Sequence, residues 1–166
     1  MLAYWQEQAP ALHKEKNMSK PKVIFICTGN SARSHMAEGL LRALAGEHYE
    51  VFSAGTEPKG RILPEVDEVM HEVGIDLSDH WSKSVMEYMG KVNFAHVITV
   101  CSDAEENCPV VFLNMGTHDH WPFDDPAKFD ETDRLVRTRQ VRDQIDARLR
   151  LWLNEQGVTP NEHRQN

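Results

Sequence analysis

The stretch Lys22-Val-Ile-Phe-Ile-Cys27-Thr-Gly-Asn-Ser-Ala-Arg33-Ser34 constrains the fold more than any other part of the chain. Val23, Ile24, Phe25 and Ile26 form a continuous apolar run of strong β propensity. That is the pattern of a strand buried on both faces, as in a parallel sheet. The run stops at Cys27, a small-residue loop follows, and Met36, Leu40, Leu41 and Leu44 then recur at helical spacing. The order is therefore strand, loop, helix, with a cysteine at the strand's carboxyl end. Loop amides and the first turn of such a helix converge on one point and favour an anion there. A thiol facing that point is expected to have a lowered pKa. Arg33, six residues on, can lay its planar fork over two oxygens of a tetrahedral oxyanion. Cys-x5-Arg alone is a weak signal; the strand before it, Gly29 and Ser31 within it and the helix after it give it weight. The competing interpretation is a cysteine packed as a small hydrophobe, with Arg33 in solvent.

A chain of 166 residues, 40% of them hydrophobic, reads as one ordinary globular domain. A net charge of −8 argues against a nucleic-acid or anionic-membrane partner, so an anion site must be built locally. No run approaches the ~20 apolar residues of a membrane span. Residues 1–17 lack the basic-then-apolar pattern of a signal peptide. The expected setting is cytoplasmic, where structural disulfides are rare. Three cysteines, an odd number, then point to reactive thiols.

Residues 1–20 read as a polar extension, 21–157 as the domain and 158–166 as a polar, frayed tail. Within the domain, 50–55 reads as a second strand. The 64–73 segment reads as a helix with Pro64 in its first turn, Val66, Val69, Met70 and Val73 as its stripe and Gly74 as its stop. A short helix is expected over 83–89, a third strand over 94–100 ending at Cys101, a fourth over 109–113 and a loop over 121–126. A long helix over 130–156 buries Val141, Ile145, Leu149 and Trp152. Alternating strands and helices imply an α/β fold with a parallel sheet. Its site is expected outside the carboxyl ends of the strands, at a switch point. If the first and third strands are neighbours, Cys27 and Cys101 face one crevice.

Cys101-Ser-Asp-Ala-Glu-Glu-Asn-Cys108-Pro lacks the paired Cys-x-x-Cys spacing of a zinc site. His118 and His120 read as a solvated H-x-H in a loop. Together, CTGNSARS at 27–34, CSDAEENCP at 101–109 and HWPFDDPA at 120–127 resemble the thioredoxin-coupled arsenate reductases. That family shares the low-molecular-weight protein tyrosine phosphatase fold, a three-layer arrangement of a four-stranded parallel sheet between helices. The resemblance implies that Cys27 attacks arsenate. Arg33 and the loop of Thr28, Gly29, Asn30, Ser31, Ala32 and Ser34 would hold the oxyanion, and Asp125 would be the general acid. It further implies that Cys101 resolves the Cys27 adduct, that Cys108 then attacks Cys101, and that thioredoxin reduces the Cys101–Cys108 disulfide. No tightly bound cofactor is implied. The chain is expected to work as a monomer. Asp124 competes with Asp125 on local sequence alone, since Asp-Pro also initiates turns.

Some relatives bind potassium beside the oxyanion loop, and Asn30, Glu38 and Ser53 match ligands of that site. Lys83 falls where a further acidic ligand would stand, so an ammonium group could take the cation's place. Two other functions use the same loop. A low-molecular-weight protein tyrosine phosphatase would need Cys27, Arg33 and Asp125. However, Ala32 and Ala127 replace the second loop cysteine and the substrate-facing aromatic usual in that group. A non-enzymatic phosphocarrier or oxyanion-binding protein would have no use for Asp125, Cys101 or Cys108.

Overall fold

The computed structural model describes residues 19–109, 112 and 116–162. The apolar run becomes β1 (Lys22–Cys27), buried from Val23 to Cys27. It pairs in parallel with β2 (Glu50–Gly55) on one side and β3 (His96–Thr99) on the other, and β4 (Thr117–His120) adds in parallel to β3. The sheet order is β2-β1-β3-β4, which makes β1 an inner strand and explains why it carries no polar face.

Helices cover the sheet. α1 (Arg33–Ala45) runs from the loop after β1 and packs on β1 and β2. α2 (Pro64–Glu72) has Pro64 in its first turn, as the sequence predicts. α3 (Ser102–Asn107) lies against β1 and β3. α4 (Glu131–Glu155) packs on α1 and α2 and buries Val141, Ile145, Leu149 and Trp152. The expected helix over 83–89 condenses to one 3₁₀ turn, Val85–Glu87, opened by the Ser84 hydroxyl accepting from Met86 N.

The fourth strand is displaced from its expected place. Residues 110, 111 and 113 of the expected strand lie outside the described residues, and Phe112 is helical, its N–H donating to Pro109 O at 2.9 Å. The strand that forms is Thr117–His120, an edge strand of mixed exposure with no apolar run to announce it. The tail also differs from expectation. Val158 packs against the core, and Asn161 N donates to Leu44 O at 2.7 Å, so the chain docks back over α1 rather than fraying at 158. Most of the expected extension, residues 1–18, lies outside the described residues. Among the described residues no helix is long and apolar enough to cross a membrane.

Because β2 and β3 flank β1 on opposite sides, the chain direction across the sheet switches at β1. A crevice opens there outside the strand ends. Thr99 lies level with Ile26, and Val100 N donates to Ile26 O at 2.9 Å, so Cys27 and Cys101 emerge side by side.

Candidate active site

The loop after β1 wraps its own sulfur. Cys27 Sγ accepts the Asn30 N–H at 3.1 Å and lies 2.9 Å from Ser34 Oγ. Asn30 has φ 43°, in the left-handed region that Asn tolerates better than most residues. Its buried Nδ2 donates to Ser34 Oγ (2.8 Å) and Ser53 Oγ (3.1 Å) and fixes the turn. The strap after β2 binds the loop's carbonyls: Thr56, Glu57, Lys59 and Leu63 donate N–H groups to Cys27, Thr28, Gly29 and Ser31. Gly55 permits this close approach, since a Cβ there would stand 2.6 Å from Thr28 O and 3.0 Å from Asn30 N. α1 starts without a side-chain cap, which leaves its first N–H groups for an anion.

The resulting pocket is lined by Cys27, the loop residues Thr28, Gly29, Ser31, Ala32 and Arg33, and by Lys59, Cys101, Ser102, Asp103, Lys128 and the 123–125 segment. Arg33 is braced by Nη1 donating to Phe123 O at 3.0 Å, with Nη2 3.5 Å from Asp125 Oδ2. Its buried Nε has no partner among the described residues. Asp125 Oδ1 accepts Ala127 N at 3.0 Å and opens the 3₁₀ turn Pro126–Lys128, while Oδ2 faces Arg33. Asp124 lines the same pocket without that pairing.

One expectation is reversed. Burial pushes the Cys27 thiol up, and this outweighs the lowering pull of the Ser34 hydrogen bond and the Arg33 charge. The loop places the right donors around the sulfur, but the strand end is buried more deeply than the motif suggests.

Cys101 Sγ lies 3.3 Å from Thr28 Oγ1, on the pocket wall beside Cys27. Cys108 does not reach the pocket. The two cysteines cap opposite ends of α3, and burial together with the Glu105 charge pushes the Cys108 thiol up to about 11. Glu105 anchors this helix to the sheet. It accepts a short hydrogen bond from Thr99 Oγ1 and faces His118 Nε2 at 2.9–3.0 Å. Burial pushes the Glu105 carboxyl up, but those two partners hold it below its usual range. His118 and His120 therefore sit on β4 rather than in a loop, with His118 engaged by α3.

Asn30, Glu38 and Ser53 do come together, and Lys83 joins them. Buried Lys83 Nζ donates to Ser53 Oγ and Trp81 O at 3.2 Å each, its backbone N–H donates to Asn30 Oδ1 at 2.9 Å, and Ser53 Oγ donates to Glu38 Oε2 at 2.6 Å. The Lys83 ammonium thus supplies a positive charge beside Ser53, one of the residues matched to the cation site. Sequence reasoning missed His35, His80 and Arg42, which converge on Glu38. The available signal was a polar pair at i, i+3, His35 and Glu38, within a helix whose buried side is, Ser34 apart, otherwise apolar.

This architecture has close counterparts. The family model "low molecular weight phosphotyrosine protein phosphatase" matches residues 22–162. An arsenate reductase of Shouchella clausii is 41% identical over 136 residues, covering 80% of this chain and 95% of that protein. A solved structure of an arsenate reductase in the phosphate binding state superposes with a TM-score of 0.68 at 28% identity, over 81% of this chain and 98% of the other. A thioredoxin-dependent arsenate reductase of Corynebacterium glutamicum gives 0.63 at 31% identity, over 85% of this chain and 65% of the other. A family match over nearly the whole described chain, which takes in the Cys27 loop, makes this chain a member of the low molecular weight phosphotyrosine protein phosphatase family.

Proposed function

We propose that the protein is an arsenate reductase that passes electrons through Cys27, Cys101 and Cys108 and draws them from thioredoxin. The observation that carries this reading is the pair of strand-end thiols in one oxyanion pocket, with a third thiol at the far end of the short helix between them. Hydrolysis of phosphate esters would use Cys27, Arg33 and Asp125 and leave the other two cysteines idle. A passive oxyanion carrier would leave Asp125 idle as well.

In the proposed sequence, the loop amides and Arg33 Nε hold arsenate, and the Cys27 thiolate attacks As(V). Asp125 protonates the departing oxygen, which leaves as water. Cys101 then attacks Cys27 Sγ, and the S–As electron pair stays on arsenic. Arsenic(V) becomes arsenic(III), arsenite departs and a Cys27–Cys101 disulfide forms. Cys108 attacks Cys101 Sγ and frees Cys27. Thioredoxin's dithiol reduces the Cys101–Cys108 bond. Lys83 stands in for a monovalent cation beside the loop, in support of which its ammonium lies on Ser53.

The test is arsenate-dependent NADPH oxidation with thioredoxin and its reductase, run beside p-nitrophenyl phosphate hydrolysis. Cys101→Ser and Cys108→Ser should each lose coupled turnover while keeping hydrolysis, and Cys27→Ser should lose both. Normal cycling of Cys108→Ser with thioredoxin would refute the relay.

A further inference from the structure

His35, Glu38 and His80 are a group the proposed reaction does not use. We propose that His35 Nδ1, His80 Nδ1 and Glu38 Oε2 form a binding site for a divalent transition metal of the zinc class, on the flank of the oxyanion loop.

The three atoms make a triangle with sides of 3.1 Å (His35 to His80), 3.2 Å (His80 to Glu38) and 3.6 Å (His35 to Glu38). Ligand atoms bonded to a tetrahedral zinc at about 2.0–2.1 Å stand about 3.3–3.4 Å apart. The triangle therefore has the size of one tetrahedral face, and a single ion can reach all three donors without moving them far. Two imidazoles and a carboxylate also form a donor set that suits zinc and cobalt. Among the described residues, this is the group of histidine and acidic ligand atoms gathered this closely.

The outer contacts point the same way. His35 is fully buried, and its Nε2 lies 3.0 Å from Asn30 O. A carbonyl only accepts, so Nε2 carries the hydrogen and a neutral ring leaves Nδ1 as a bare lone pair aimed into the triangle. This is how metal-binding histidines are oriented, by a carbonyl on the opposite nitrogen. Glu38 is held from behind, with Arg42 Nη2 on Oε1 at 2.8 Å and the Ser53 hydroxyl on Oε2 at 2.6 Å, leaving a second Oε2 lone pair for the ion. Glu38 and His80 line a cleft shared with Arg42, Asp79, Trp81 and Lys83, which gives access and room for a water as fourth ligand, while the Lys83 ammonium is held by Ser53 Oγ and Trp81 O.

Without metal, His80 Nε2 faces Arg42 Nη1 at 3.3 Å, so the His80 proton sits on Nδ1, shared between two acceptors. Metal binding moves that proton to Nε2, with no net release, and requires Nη1 to withdraw. Arg42 can do so because its side chain is 48% exposed and its Nη2 still holds Glu38 and Val51 O. The Lys83 ammonium contacts none of the three ligand atoms directly, although Ser53 links it to Glu38 Oε2, and the ion would grip Asn30 through His35.

Reduced full-length protein and its Cys27→Ser/Cys101→Ser/Cys108→Ser variant would be titrated with Co²⁺ by visible absorption and with Zn²⁺ by calorimetry. The triple variant removes thiol binding as a source of signal. One metal per chain is expected in that variant, with Co²⁺ d–d bands of a four-coordinate site and no thiolate charge-transfer band. His80→Asn and His35→Gln, added singly, should each weaken Zn²⁺ binding by at least about 100-fold. Unchanged melting in metal-free buffer would show that these variants still fold, and His80→Asn, the less buried change, serves if His35→Gln does not. Absence of the d–d bands, or equal Zn²⁺ affinity in a folded histidine variant, would overturn the site.

Discussion

At the scale of single residues, the nucleophile's state is a contest that Ser34 enters on the side of the thiolate. Burial raises the Cys27 thiol, while Ser34 and Arg33 pull it down. Removing the hydroxyl should therefore leave burial less opposed. Ser34→Ala is expected to shift the Cys27 alkylation profile to higher pH. A hydrogen bond to a charged group contributes about 1.5–3 kcal/mol, so alkylation near neutral pH should slow by about tenfold or more. Measured in a Cys101→Ser/Cys108→Ser background, an unmoved profile would remove Ser34 from this role. Lys83 makes a second case. Its ammonium lies 3.2 Å from the Ser53 hydroxyl that donates to Glu38. Lys83→Asp replaces that charge by a ligand, and the variant should melt higher in potassium than in tetramethylammonium, by about 2–4 °C per kcal/mol gained. The parent should show no such difference, and equal melting of the variant in both salts would refute the substitution of ammonium for cation.

At the scale of elements, α3 is both a spacer and a latch. From Cys101 to Cys108 a helix rises about 10 Å, whereas a disulfide needs its Cα atoms within about 7 Å. Forming that bond therefore requires α3 to unwind. Only Ala104 is buried among its residues, so the hold on the sheet is largely Glu105 on Thr99 and His118. With its thiol pushed up to about 11, Cys108 is protonated near neutral pH while the helix is closed. Hydrogen exchange over 102–108 should rise on oxidation while 96–99 stays protected, and Glu105→Gln should raise exchange in the reduced form too. Equal protection in both redox states would refute the opening. Gly55→Ala tests the other supporting element: the new Cβ meets Thr28 O and Asn30 N, backbone that cannot step aside. A cost of about 1–3 kcal/mol in stability and a drop in kcat of about 100-fold are expected. The loop motif was legible because it rests on local spacing. Gly55 was not, because its neighbours come from 25 residues or more away in sequence, and neither was Glu105, whose partners lie on β3 and β4.

At the scale of the molecule, the parallel sheet followed from two apolar runs ending in cysteine, whereas the edge strand Thr117–His120 did not. An edge strand takes its place by backbone pairing alone, and its polar residues carry no period that separates it from a loop. His96 is one of the side chains that tie that edge to the interior. Its ring packs edge-on against Trp152 at 5.0 Å and against Tyr49 at 6.1 Å, and its Nδ1 meets Thr117 Oγ1 at 2.7 Å, so one side chain joins β3, β4 and α4. Burial lowers the His96 pKa, and the Asp119 charge opposes this only in part. The folded value therefore lies below the unfolded value of about 6.5. On acidification the unfolded chain takes up this proton first. The stability contributed by neutral His96 is complete above about pH 6.5 and is lost as the pH falls from there toward the folded pKa. His96→Gln keeps a hydrogen-bonding partner for Thr117 but cannot titrate. Urea unfolding at about pH 7.5 and about pH 5.5 should show a smaller fall in stability for the variant than for the parent. The variant should also be less stable at the higher pH, because an amide does not replace the ring between Tyr49 and Trp152. An identical fall in both proteins would place the acid sensitivity of the fold elsewhere.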